Sequence, residues 1–97
     1  MTHFAEPQWT QEQAIAFEAA RECIGHAMAI WSAELYEEEH RSRPDAARVA
    51  GLRQELHKMA ADRASLRLHD DKRIAEVRSH YGALVRADRE HRALRAA

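Results

Sequence analysis

The feature that most limits this chain is one row of apolar residues: Phe17, Ala20, Ile24, Met28, Trp31 and Leu35, with gaps of 3, 4, 4, 3 and 4. This spacing follows the 3.6-residue period of an α-helix and puts all six side chains on one face. Ala16, Cys23, Ala27 and Ile30 widen the row. A face this wide predicts burial against two neighbours rather than one. The helix start is also readable. Thr10 fits N-cap and Gln13 fits N3, a capping box, and Glu12 in the first turn suits the helix dipole. Trp9 before the cap can pack over Ala14. The opposite side carries a small-residue row of Gly25, Ala29 and Ala33. It either admits another backbone or is a glycine tolerated on an exposed face, and the second reading ranks first.

Two further stripes follow. Glycine and proline are only 5 of the 97 residues, so breaks in helix are few. Pro44 marks one. A second helix begins beside it, with Ser42 as cap and Asp45 at N3, or with Pro44 as its first residue. Its stripe is Val49, Leu52, Leu56 and Met59, then Arg63 and Leu66, which puts the Arg63 charge in a core position. The third stripe is Ile74, Val77, Tyr81 and Leu84, then Asp88 and His91. It is out of phase with the second, and the polar LHDD stretch between them predicts a break capped by His69 or Asp70. The expected fold is all-α, one domain over 1–97, with helices about 11–40, 45–67 and 71–94. The alternative to a three-helix bundle is a helical hairpin whose second arm, 45–95, is one long bent helix that needs a partner along its length.

Charge is divided along the chain. Residues 1–40 hold eight acidic side chains against Arg21 alone, a net of −7; residues 41–97 hold eight acidic and fourteen basic, a net of +6. Glu37, Glu38 and Glu39 end the first helix, where the helix dipole disfavours them. Intramolecular compensation is the first expectation. Arg41, Arg43 and Arg48 stand just across the turn, and Lys72, Arg73 and Arg78 are expected close by at the start of the third helix. The second expectation is intermolecular, the acidic half of one chain meeting the basic half of another.

No strong catalytic or metal signature is present. The seven histidines include no H-E-x-x-H, and Cys23 with His26 makes a single C-x-x-H without a second pair. Cys23 lies in a helix interior, away from the terminal N–H groups that activate a thiol. Glu18, Glu22 and His26 form a row on the polar side of the first helix. Arg63, Asp70 and His91 interrupt apolar stripes and are the cleft candidates. No enzyme activity, metal or cofactor is expected. No segment is apolar enough to span a membrane, MTHFAEPQW does not read as a signal peptide, and the lone cysteine suits a reducing compartment, so the expected location is cytoplasmic.

The expected function is that of a small helical protein-interaction module: an adaptor, inhibitor, immunity or regulatory protein that binds another protein and is itself a homo-oligomer. The candidate protein-binding residues are Trp31, Glu34, Tyr36, Glu37 and Glu38. Trp31 is also the candidate core tryptophan, which is its preferred reading. Tyr36 lies off the main stripe and is the better exposed anchor. Phe4 and Trp9, flanking Pro7, form a lead that folds over the bundle end or crosses to another subunit. The alternative function is a nucleic-acid-associated regulator using Arg78, Arg86, Arg89 and Arg92 of the C-terminal helix. Asp88 and Glu90 dilute that surface.

Overall fold

The computed structural model describes residues 9–96 and contains three helices, α1 (Gln11–Glu39), α2 (Ala46–Ser65) and α3 (Asp71–Ala96). The expected Phe4 contact lies outside the described residues. The long-arm alternative is overturned, because the chain leaves helical geometry over 66–70. Leu66 turns extended (φ −60°, ψ 138°), and its buried side chain anchors the connection. Asp70 starts α3: its Oδ1 accepts from the Arg73 N–H at 3.0 Å and its carbonyl accepts from the Ile74 N–H at 3.0 Å.

The first helix begins with the expected capping box. Thr10 Oγ1 accepts from the Gln13 N–H at 3.0 Å, and Gln13 Oε1 accepts from the Thr10 N–H at 2.9 Å. For α2 the cap is Asp45, not Ser42, and Pro44 precedes the cap instead of opening the helix. Asp45 Oδ1 accepts from the Ala47 and Arg48 N–H groups at 3.0 and 3.2 Å. A carboxylate at this position answers two free N–H groups and the dipole together, which a serine three residues earlier does not.

The helices run up, down and up, so α3 lies parallel to α1. Gln13 Nε2 at the start of α1 meets Asp71 Oδ1 at the start of α3, at 3.4 Å. α1 packs on both other helices, as its wide stripe predicts. Between α2 and α3, by contrast, no Cα–Cα distance falls within 8 Å. Ala20, Ile24 and Ala27 of α1 are fully buried and share one core with Met59, Leu66, Ile74, Val77 and Tyr81. Phe17, Cys23, Met28, Trp31 and Leu84 pack against that core while half-exposed.

Side chains alone bridge α2 to α3. The Tyr81 hydroxyl donates to Asp62 Oδ2 at 2.6 Å, and Arg73 Nη2 lies 3.5 Å from Asp62 Oδ1. A hollow of about 310 Å³ beside them is lined by Lys58, Asp62, Arg73, His80 and Tyr81. The polar residue that enters the α2 stripe is therefore Asp62. Arg63, expected there, is exposed, while Asp62 faces α3, where the Tyr81 hydroxyl supplies its donor. The Gly25 row is likewise open: a Cβ built on Gly25 meets nothing within 4 Å.

Ile24 lies fully buried on the helix that both others need. Ile24→Ala is expected to lower the unfolding free energy by about 2–5 kcal/mol, whereas Arg63→Ala should change it by less than about 0.5 kcal/mol. Urea titration followed by helical circular dichroism measures both, and equal losses would place the core elsewhere. Burial, and then the Asp62 carboxylate, raise the Tyr81 pKa above that of a free phenol. The stabilisation is thus complete below the unfolded phenol's pKa and declines as pH rises past it, because the unfolded chain releases its proton first. Tyr81→Phe should cost about 1–2 kcal/mol at neutral pH and flatten the alkaline decline in the same titration.

Candidate functional site

The acidic end of α1 is the most constrained surface of the molecule. Glu38 is buried, only 3% exposed. Its Oε2 accepts from the Asp45 backbone N–H at 3.1 Å, and its Oε1 lies 3.1 Å from Arg41 Nη1 and 3.3 Å from Arg48 Nε. One carboxylate thus holds the turn and the first residues of α2 against the end of α1. The Asp45 N–H, then Arg41 and Arg48, outweigh burial and hold its pKa below the usual carboxylate range. On either side, Arg48 Nη2 pairs with Glu34 at 3.2 Å and Arg53 Nη2 with Glu39 at 2.7 Å. His40 closes the helix. Its Nδ1 lies 2.8 Å from the Tyr36 carbonyl oxygen, to which it donates, and its ring stacks on Tyr36 at 3.9 Å between centroids.

The partners differ from those expected: Arg41 and Arg48 engage the glutamates, but Arg53 and not Arg43 completes the set. Lys72, Arg73 and Arg78 are at the far end of the bundle, because α3 runs parallel to α1 and brings its end, not its start, beside Glu37. Arg73 instead engages Asp62 and Glu76, and Arg78 borders a hollow with Thr10 and Glu12.

Above the core, the inward stripe of α3 turns polar. After Leu84 come Asp88, His91 and Arg95, with Arg92 beside them, where an apolar face would have continued. The helices enclose a cleft of about 430 Å³ there. Ile30, Ala33, Glu34 and Glu37 line it from α1, Arg48 from α2, and Asp88, His91, Arg92 and Arg95 from α3. Arg92 Nε lies 2.8 Å from Asp88 Oδ2. The walls carry three carboxylates and three guanidiniums, so the cleft offers donors and acceptors at close spacing without a dominant sign.

The sequence candidates are divided by this geometry. Glu34 and Glu37 line the cleft, and Tyr36, 62% exposed, stands beside Glu37. Trp31 packs against the core cluster, in keeping with its preferred reading, and Glu38 is enclosed in the turn. Arg92 joins Glu34 and Glu37 in the cleft, so the two candidate sets meet there. Arg78, Arg86 and Arg89 are exposed along α3 outside it. His91 reaches the cleft as an interrupted-stripe residue should. Arg63 does not, and Asp70 is used as the α3 cap. Ile30, Ala33, Arg48 and Arg95 were not among the sequence candidates. Arg95 was legible as the next step of the α3 stripe after His91.

Among the described residues no group of three His, Cys, Asp or Glu side chains is placed to hold a metal ion, and no helix is long and apolar enough to cross a membrane. Comparison of the chain with protein-family models, curated proteins and solved structures gives no match.

Because Glu38 is held ionised by folding, its contribution is present above the pKa of an unfolded glutamate and is lost as pH falls through its lower folded value. Urea midpoints should therefore rise from strongly acidic pH and level off above about 4.5. Glu38→Gln is expected to lower the neutral-pH midpoint more than Glu37→Gln and to weaken the acid dependence. Equal effects of the two substitutions would refute the role of Glu38 as the turn anchor.

Proposed function

We propose that this chain is a small helical protein-interaction module, of the adaptor, inhibitor, immunity or regulatory kind. It works by binding another protein, not by catalysis, and it acts as a homo-oligomer in the cytoplasm. The observation that supports this reading best is the cleft. Two helices and the start of a third bring Glu34, Glu37, Arg92 and Arg95 together around the apolar Ile30 and Ala33, with Tyr36 exposed beside them. Tyrosine and arginine around a partly apolar depression are the composition of energetic centres at protein interfaces. Mixed charge over a short distance suits a polypeptide segment, which presents its own donors, acceptors and both signs.

The same mixture disfavours the nucleic-acid alternative. A phosphate chain requires net positive charge along its path. Arg92 is held by Asp88 and borders Glu34 and Glu37 of α1.

The test is site-specific photocrosslinking in the cells that make the protein, with a photoreactive residue at Tyr36 and, as control, at exposed Gln54 of α2. A discrete adduct with a different protein is expected from position 36, absent from position 54 and abolished by Arg95→Glu. Adducts from both positions alike, from neither, or unaffected by Arg95→Glu would overturn the reading. So would tight binding of duplex DNA or RNA at moderate salt.

A further inference from the structure

Two more hollows lie on the flank shared by α1 and α3, and no α2 residue lines either. The first, about 410 Å³, is bordered by Glu12 and Ala16 of α1 and by Ala75 and Arg78 of α3. The second, about 270 Å³, is bordered by His26, Ala29 and Ile30 of α1 and by Val85 and Arg89 of α3. Their floors are alanine, isoleucine and valine. Their rims are polar, with Glu12 facing Asp71 and Arg78 in the first and His26 facing Asp88, Arg89 and Arg92 in the second.

On α1, exposed Glu22 and Glu18 stand one and two turns before His26. Ile15, 62% exposed, lies seven residues before Glu22 and so on the same side. The one basic residue of α1, Arg21, is turned toward the Phe17 ring, 5.8 Å from its centroid. On α3, Arg78, Gly82, Arg86 and Arg89 are spaced by four, four and three and share one side. Arg86 folds back along the helix: a Cβ built on Gly82 would lie 3.2 Å from Arg86 Nη1. Its guanidinium therefore lies over Gly82, between Arg78 and Arg89.

We infer that this flank binds a second copy of the chain about a two-fold axis parallel to α1 and α3. Glu18 and Glu22 of each copy then face Arg78, Arg86 and Arg89 of the other. The argument is charge complementarity within a single patch. A two-fold axis parallel to the helices lays α1 of one copy on α3 of the other and keeps their levels along the bundle. Arg78 shares a hollow with Ala16, and Arg89 shares one with His26, so Glu18 and Glu22 fall between these two arginines. The symmetry makes this acidic-on-basic contact twice. A two-fold axis across the helices would set α1 on α1, carboxylates against carboxylates, and is disfavoured. Ile15 and the hollow floors supply the apolar part of the contact. The inference rests on the homo-oligomeric part of the proposed function and uses a surface separate from the Tyr36 and Arg95 positions that test the cleft.

The test is sedimentation velocity of the full chain at low and high salt. It uses wild type, Glu18→Arg/Glu22→Arg and Arg78→Glu/Arg89→Glu, with helicity checked by circular dichroism. Wild type should be a dimer that loosens as salt rises. Each variant alone should keep its helicity and dimerise at least about tenfold more weakly, since it faces like charge on like. An equimolar mixture of the two variants should recover the dimer, because both contacts then pair opposite charges. A monomeric wild type, variants that stay dimeric, or helical variants whose mixture stays monomeric would each overturn the inference. A monomeric wild type that still gives the position-36 adduct removes the dimer and leaves the cleft reading. A dimer without that adduct does the reverse.

Discussion

The fold depends on burying α1 from two sides. Each of the other helices packs against it, while the backbones of α2 and α3 stay apart and polar side chains, Tyr81 and Arg73 with Asp62, bridge them. The arrangement follows from residue size. Ala20 and Ala27 flank Ile24 on the fully buried line of α1 and let both neighbours approach, while Phe17, Met28 and Trp31 extend the contact around the helix. A chain of 97 residues buries little surface per residue, so this central position concentrates the stabilisation in a few α1 side chains. Loss of α1 packing would leave α2 and α3 with no close backbone contact, which is too little to order two helices against their conformational entropy.

Charge selects the topology that burial alone leaves open. Apolar stripes on three helices are compatible with more than one winding, since hydrophobic contact has no direction. The acidic end of α1 has direction. Glu38 accepts from the Asp45 backbone and from two arginines, and Glu34 and Glu39 reach Arg48 and Arg53 on α2. Exposed ion pairs contribute little to stability one by one. The buried Glu38 differs, because it accepts from a backbone N–H of the turn as well as from two guanidiniums, which ties the start of α2 to the end of α1. Glu38 and Glu39 therefore hold the α1–α2 register, with Glu38 committed to the turn, while Glu37 lines the cleft.

Most of the fold was legible because it is written in local signals. The helix period fixes faces, the capping box at Thr10 fixes a start, and the polar LHDD stretch marks the second break. What was not legible depends on three-dimensional relations. Asp45 rather than Ser42 caps α2 because the carboxylate reaches two backbone N–H groups. Asp62 rather than Arg63 turns inward because Tyr81, nineteen residues on, supplies a donor for it. Placing Lys72, Arg73 and Arg78 beside the glutamates failed on topology: in an up-down-up bundle the third helix ends, not starts, beside the end of the first. For the cleft, Glu34, Glu37, Arg92 and His91 stood out as charge or as stripe interruptions, but Ile30 and Ala33 belong to it only by what faces them.

The position of the cleft has its own physical reason. The fully packed core runs from Ala20 to Ala27 on α1 and from Ile74 to Tyr81 on α3. Beyond Leu84 the inward side of α3 offers Asp88, His91 and Arg95, which cannot be closed over by α1 without stranding charge. The helices must therefore leave room for solvent or for a partner that supplies matching polar groups. On the outer flank small and aliphatic residues form the floors of the hollows, and the charges stand at the rims. A neighbour on the flank would meet apolar floors between charged rims, and one in the cleft would have to satisfy the polar groups it covers. That contrast is the physical ground for proposing self-association at the flank and partner recognition at the end of the bundle.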